Sequence, residues 1–148
     1  MSDKAQPKPR SAYAHFTTIA TRWNDNDVYG HVNNVVYFEF FDTAINQFLI
    51  ENGALDLQRP DVVGLVVDNR CTYFSSIRFP DAVQVGIAVT RLGNSSVEYE
   101  VGIFKNEDPL CCALGRFVHV YVDRGTGRST AIPPQVVRVL TTILRPQA

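Results

Sequence analysis

Hydrophobic and polar positions divide the chain into stretches of two kinds. His15 to Trp23 (HFTTIATRW) alternates roughly and is rich in Thr and aromatic residues, which predicts a strand. Residues 24–34, NDNDVYGHVNN, are dense in Asn, Asp and Gly and predict a loop. From Val35 to Ile50 apolar residues occupy positions 35, 36, 37, 38, 40, 41, 44, 45, 48, 49 and 50. Glu39, Asp42, Asn46 and Thr43 form a narrow polar strip. Asn33 or Asn34 can cap the start, and Asn52-Gly53 is a stop signal. The result is a helix of about four turns. Being apolar on nearly all sides, it has to be wrapped by other structure.

Strand material follows at Val62–Phe79, Ala82–Arg91, Ser96–Lys105 and Leu110–Val122, rich in Val, Ile, Tyr, Phe and Thr. Turn signals separate these runs at Pro80-Asp81, Gly93-Asn94, Asn106 to Pro109 and Gly125 to Gly127. Pro133-Pro134 then opens a short amphipathic helix with an apolar stripe of Val136, Val137, Leu140, Ile143 and Leu144. Consecutive strands with short connections imply an antiparallel sheet. The predicted class is α+β, a curved sheet of about five strands wrapped around one long central helix.

The 148 residues suit one domain with a sizeable core, and 45% hydrophobic with 20% charged residues is ordinary globular usage. Fourteen Lys and Arg against fifteen Asp and Glu give a formal charge of −1, without the basic bias of a dedicated nucleic-acid binder. Three cysteines, two of them adjacent (Cys111 and Cys112), fit a reducing compartment better than a disulfide scaffold. The start, MSDKAQPKPRS, lacks the apolar core of a signal peptide. It predicts a flexible arm over residues 1–12 ahead of a single domain spanning 13–148. No apolar run approaches the ~18 residues that span a bilayer. These features set the expectation of a cytoplasmic protein with no membrane partner.

The loop into the central helix concentrates the candidate chemistry. A helix N-terminus presents unpaired backbone N–H groups and the positive end of its dipole, which can hold an anion or a developing oxyanion. A carboxylate just upstream, Asp25 or Asp27, can lie beside a carbonyl that those groups polarise, which is the pairing acyl transfer needs. Asp and Asn before a helix ordinarily serve as caps and turn formers. This loop, however, carries more polar residues than capping requires. Asp25 to Gly30 mimics the first half of an EF-hand, but Tyr29 and Val36 stand where oxygen ligands are needed. Asp25, Asp27 and His31 lack the spacing of a transition-metal site.

RWNDNDVYGHVNNVVYFEFFD resembles the signature of hotdog-fold acyl-CoA thioesterases of the 4-hydroxybenzoyl-CoA thioesterase type. Plant acyl-ACP thioesterases carry a similar run of W-x-D-x-D followed by H-V-N-N and a tyrosine. The resemblance implies hydrolysis of acyl-CoA thioesters to free acid and CoA, with no metal and no cofactor. It also implies homodimers whose sheets join edge to edge, often paired into homotetramers, with active sites at the dimer interface. Carried over by position, Asp27 is the catalytic carboxylate, as nucleophile or general base. Gly30 allows close approach of backbone and substrate, His31 matches a catalytic histidine of the acyl-ACP group, and the backbone N–H near Asn34 is the oxyanion donor. Tyr29 departs from the acyl-ACP pattern, which has asparagine there.

Other residues carry weaker expectations. Glu39 is a reserve base on the helix. His15 and His119 fall in strands and read as structural or exposed. Cys111 and Cys112 read as small apolar residues, and Asn94-Ser95-Ser96 as a hairpin turn. Arg70, Arg78, Arg91, Lys105 and Arg116 are candidates for a basic rim facing CoA phosphates. Tyr37, Phe38, Phe40, Phe41, Tyr73 and Phe74 are candidates for an acyl pocket or simply core. Two rival functions are a noncatalytic acyl-CoA-binding module on the same fold and a dehydratase or hydratase. The Asp27-Gly30-His31 constellation disfavours the first, and the absence of the second group's motifs disfavours the other.

Overall fold

The computed structural model describes residues 4–56, 58 and 61–146. Residues 1–3 of the expected arm and the last two of the domain lie outside them. In chain order the regular elements are β1 (His15–Ala20), α1 (Asn34–Glu51), β2 (Val62–Tyr73), β3 (Ala82–Leu92), β4 (Ser96–Lys105), β5 (Ala113–Asp123) and α2 (Pro134–Thr141). The five strands form one sheet in the order β1-β3-β4-β5-β2, antiparallel at every pairing. This is the hotdog fold, α+β as expected.

Strand alternation sorts side chains to the two faces. Val83, Val85, Ile87 and Val89 of β3, Val97, Tyr99, Val101 and Ile103 of β4, and Phe117 and Tyr121 of β5 share the core with α1. The helix contributes Tyr37, Phe40, Phe41, Ala44, Ile45, Phe48 and Leu49. Burying one such side chain contributes roughly 1.5–3 kcal/mol. Gly115 of β5 sits directly under Phe41: a Cβ there would lie 2.4 Å from the ring. Its missing side chain sets how deeply the helix sinks. The wrapping is not complete, because Val35, Glu39, Asp42, Thr43 and Ile50 leave one side of α1 exposed.

The other face of the sheet carries a smaller cluster of Tyr13, Ala88, Phe104 and Cys111. Residues 8–12, expected to belong to a free arm, dock there. The Pro9 backbone bridges to Leu110, and Arg10 to Ala12 form a 3-10 turn. Glu100 receives Lys8 Nζ at 2.7 Å, Tyr13 Oη at 3.0 Å and Arg145 Nη2 at 3.0 Å. Burial alone would raise the Glu100 pKa, but the hydrogen bonds from Arg145 and Lys8 bring it below the usual value. Lys8 of a segment read as polar and free thus finds a half-buried carboxylate on β4, while Arg10 goes to the Asp108 and Asn106 carbonyls and Gln84.

Three element ends differ from the sequence pattern. β1 stops at Ala20, because Trp23–Asp25 turns into a 3-10 helix around the Asp25 carboxylate. β2 stops at Tyr73, since Phe74 and Ser75 both donate their N–H to the Cys112 carbonyl and leave the ladder. β5 starts at Ala113 rather than Leu110. α1 matches closely, with Asn33 as its cap: the Asn33 side chain accepts from Val35 N–H at 3.0 Å. β2 is a sheet edge, bonded along one side only, and Leu65 to Arg70 are all exposed.

Candidate active site

The loop between β1 and α1 is a small hairpin. Asn26 bridges Val32, Asp27 N–H donates to the His31 carbonyl at 2.9 Å, and Gly30 N–H donates to the Asp27 carbonyl at 3.0 Å. Gly30 closes the turn at φ +81°, a conformation that disfavours any side chain. A Cβ at Gly30 would meet nothing within 4 Å. Within this chain, then, the backbone angle rather than close approach demands glycine. Two contacts pin the hairpin to the segment after β2: Val32 N–H to the Ile77 carbonyl at 2.7 Å, and Phe79 N–H to Asn26 Oδ1 at 3.1 Å.

The two acids of the loop have different surroundings. Asp25 is 2% exposed and accepts from Arg22 N–H at 2.7 Å and from the Arg22 guanidinium at 2.9 and 3.1 Å. Its oxygens are committed to structure. Asp27 accepts one hydrogen bond at Oδ1, from Tyr29 N–H at 2.9 Å, and Oδ2 has no partner among the described residues. A cleft of about 380 Å³ opens beside it, lined by Asp27, Val32, Asn34, Tyr37, Tyr73 and the 74–76 segment.

Asn34 is the first residue of α1, so its N–H has no acceptor one turn back. Val35 N–H goes to Asn33 Oδ1 and Val36 N–H to the Asn33 carbonyl. The Asn34 N–H is left without a partner among the described residues. Tyr73 Oη donates to the Asn34 carbonyl at 3.0 Å and its ring meets Tyr37 edge-on at 4.8 Å, tying the end of β2 to the first helical turn. Burial pushes the Tyr37 hydroxyl up to about 12.

The four residues singled out in the motif therefore separate. Asp27 and Asn34 face one cleft, Gly30 shapes the turn, and His31 points elsewhere, with Nε2 at 3.4 Å from Arg78 Nη2. The His31 backbone holds Asp27; its side chain does not line the cleft. Glu39 is also outside it, on the exposed side of α1. Among the rim candidates Arg78 lies beside His31, and Lys105 Nζ donates to the Ser76 carbonyl at 2.6 Å. Arg116 reaches Glu98 and Asp68 instead, in a shallow cleft that Arg70 also lines. Ser75 and Ser76 were not legible as site residues, since only the Phe74 and Ser75 bonds to Cys112 bring that segment round. Burial holds the Cys112 thiol up at about 12, unsuited to a nucleophile.

Among the described residues no cluster of three or more His, Cys, Asp or Glu is placed to hold a metal ion, and no helix is long and apolar enough to cross a membrane. Asp25 is turned into its Arg22 contacts.

The hotdog sheet points to a class of protein, and comparison with known proteins agrees on that class. Residues 21–140 match the thioesterase-like superfamily, and the chain belongs to that family. The PA5185 protein of Pseudomonas aeruginosa strain PAO1 is similar at 50% identity, over 94% of this chain and 97% of that one, with a TM-score of 0.91. A thioesterase of Thermus thermophilus, solved with coenzyme A and zinc, shares 26% identity over 89% of this chain and 95% of its own, with a TM-score of 0.74. The gentisyl-coenzyme A thioesterase BH1999 shares the fold at 21% identity, over 85% of this chain and 99% of its own, with a TM-score of 0.76.

Proposed function

We propose that this protein hydrolyses acyl-CoA thioesters. The observation that carries the reading is the shared cleft of Asp27, with one carboxylate oxygen unpartnered, and Asn34, with its N–H unpartnered at the positive end of α1. A thioester carbonyl placed between them is polarised by the Asn34 N–H. The Asp27 carboxylate then attacks the carbonyl carbon, or takes a proton from the water that does. The C–S bond breaks, CoA leaves as the thiolate and takes up a proton, and water supplies the oxygen of the free acid. The thioesterase of Thermus thermophilus was solved with coenzyme A, which supports CoA as the carrier.

The working unit in this reading is a homodimer across β2, with a tetramer as a further assembly. Leu65, Val66 and Val67 expose apolar surface on an unpaired strand edge, a surface that invites a second strand. Trp23 and Tyr29, 77% and 83% exposed, stand at the mouth of the loop.

The test is thiol release from short, medium, long and aryl acyl-CoAs by wild type and Asp27→Asn in parallel. Turnover by wild type that collapses in the variant is the expected result. Absence of turnover on every member overturns the reading in favour of a noncatalytic acyl-CoA-binding module.

A further inference from the structure

Two tyrosines line the Asp27 cleft, and their hydroxyl protons have different fates. Tyr73 Oη spends its proton on the Asn34 carbonyl at 3.0 Å. Tyr37 lies three residues after Asn34 on α1, so both sit on the helix face turned to the cleft. Its side chain is buried, packed edge-on against Tyr73 at 4.8 Å and tilted against Phe40 at 6.2 Å. That packing holds the ring in one place. The Ile77 backbone N–H draws the Tyr37 pKa down against burial, as a donor facing the phenol oxygen does. Ile77 directly follows Ser76 of the cleft wall, which puts the hydroxyl end of the ring at the cleft. Its oxygen meets a donor on one side, and its own proton goes to no acceptor among the described residues.

Asp27 accepts its one hydrogen bond from Tyr29 N–H and none from Tyr37. The cleft thus holds a phenol with an unspent proton and a carboxylate with an unspent oxygen, not bonded to each other. Such a pair is suited to holding a third molecule. Water fits both ends. It gives a proton to Asp27 Oδ2 and accepts the Tyr37 O–H on its oxygen, and its second lone pair stays free to attack. The other hydroxyls of the cleft are less suited. Tyr73 is already committed, and the exposed Ser75 and Ser76 side chains are free to rotate.

Resting on the thioesterase reading, we propose that Tyr37 is a catalytic residue that binds the attacking water, so that Asp27 acts as general base and no acyl-enzyme forms. As the water oxygen bonds to the thioester carbonyl carbon, its proton passes to Asp27. The carbonyl electrons move to the oxygen that faces Asn34 N–H. Collapse of this tetrahedral intermediate breaks the C–S bond. The proton on Asp27 goes to the departing sulfur, giving CoA thiol and free acid, and Tyr37 keeps its own proton throughout. Burial keeps that phenol protonated, its pKa pushed up to about 12. The titratable groups around it besides Asp27 are Tyr73, Cys71 and Cys112. Burial raises all three, Cys71 to about 11 and Cys112 to about 12, so none of them ionises at neutral pH.

The experiment compares three full chains on the acyl-CoA that wild type hydrolyses fastest: wild type, Tyr37→Phe, and a chain with trifluorotyrosine in place of Tyr37. The fluorinated phenol is nearly isosteric but ionises close to neutral pH in water. Tyr37→Phe keeps the ring and should melt near wild type. It should lower kcat and kcat/KM together by roughly ten-fold or more at constant KM, the worth of one hydrogen bond made to the reacting water. In the fluorinated chain kcat should fall as pH rises through the pKa of its phenol, because a phenolate cannot donate; wild type should show no such fall over the same range. An undiminished kcat in Tyr37→Phe overturns the proposal, as does a fluorinated chain with the wild-type pH profile. Where Tyr37→Phe melts well below wild type, the fluorinated chain decides alone. Rapid-quench single turnovers of wild type in water labelled with heavy oxygen read the route. CoA and acid should appear together, with the label in the acid only. A burst of CoA ahead of the acid, or label in the Asp27 peptide, overturns the general-base assignment. Inactivity of wild type on the whole acyl-CoA panel overturns the thioesterase reading itself, and the proposal with it, so the two failures are distinguishable.

Discussion

The two ends of α1 solve the same problem differently. At the C-terminal end Asn52 offers both its backbone N–H and its side-chain amide to the Phe48 carbonyl, at 3.1 and 2.8 Å, and Ala54 N–H reaches the Leu49 carbonyl at 2.8 Å. That end is closed by its own neighbours. At the N-terminal end Asn33 satisfies the N–H groups of Val35 and Val36 and stops there. One donor, Asn34 N–H, stays open next to an open carboxylate oxygen. Satisfied groups hold structure, whereas the unsatisfied pair is free to act on something brought in.

Substitutions at each end should therefore separate activity from stability. The largest effect falls on Asp27→Asn, expected to lower kcat by about 10²–10⁴-fold in the thiol-release assay, the contribution of a positioned acid or base. Its melting temperature should stay near wild type, since the Asn side chain can still accept from Tyr29 N–H. Next is Asn34→Pro. Proline suits the first helical position, and Asn33 already has the extended backbone that a following proline requires (φ −59°, ψ 138°). The change deletes one donor and leaves the cap. Turnover should fall ~10²–10³-fold with little change in melting, whereas Asn34→Ala, which keeps the N–H, should retain most activity.

At the closed end the signs reverse. Asn52→Ala removes one partly buried side-chain bond worth about 1 kcal/mol. It should lower the melting temperature by about 2–4 °C in calorimetry while leaving kcat unchanged.

The smallest effect concerns pH. His119 in the folded chain has a pKa below the usual 6.5. Between the folded and unfolded values the unfolded chain binds the extra proton. Its contribution to stability is thus fully present above about pH 6.5 and is lost as pH falls toward the folded value. Urea unfolding of wild type should show this decline, and His119→Phe should show a shallower one. Equal slopes would mean that the ring binds its proton alike in the folded and unfolded chain.

The sequence pattern revealed the parts of this molecule that local rules determine. α1 and its Asn33 cap, the alternation of β3, β4 and β5, and the hairpin at Asn94-Ser95 follow from residues a few positions apart. Asp27 and Asn34 were legible because the turn and the helix start both lie within one short motif. What escaped was set by distant contacts. Tyr73 Oη reaches Asn34 across thirty-nine positions, and no periodicity announces it. The 74–79 segment looks like strand but follows the Cys112 carbonyl out of the sheet. Asp25 and Asp27 differ on paper only by spacing, and the Arg22 guanidinium decides which of them is spent. The N-terminal residues read as loose because the carboxylate that captures Lys8 belongs to a strand ninety-two positions away.

That capture has a practical side. Residues 8–13 lie on the back of the sheet, with Tyr13 against Gly86 and Gly102, while the Asp27 cleft opens at the helix side. A bead, dye or display anchor joined ahead of Lys4 thus starts from the face of the sheet opposite the cleft, where Ala5 lies beside Arg70 and Thr72. Immobilised by that end, the protein is held by the face of the sheet that does not carry the Asp27 cleft.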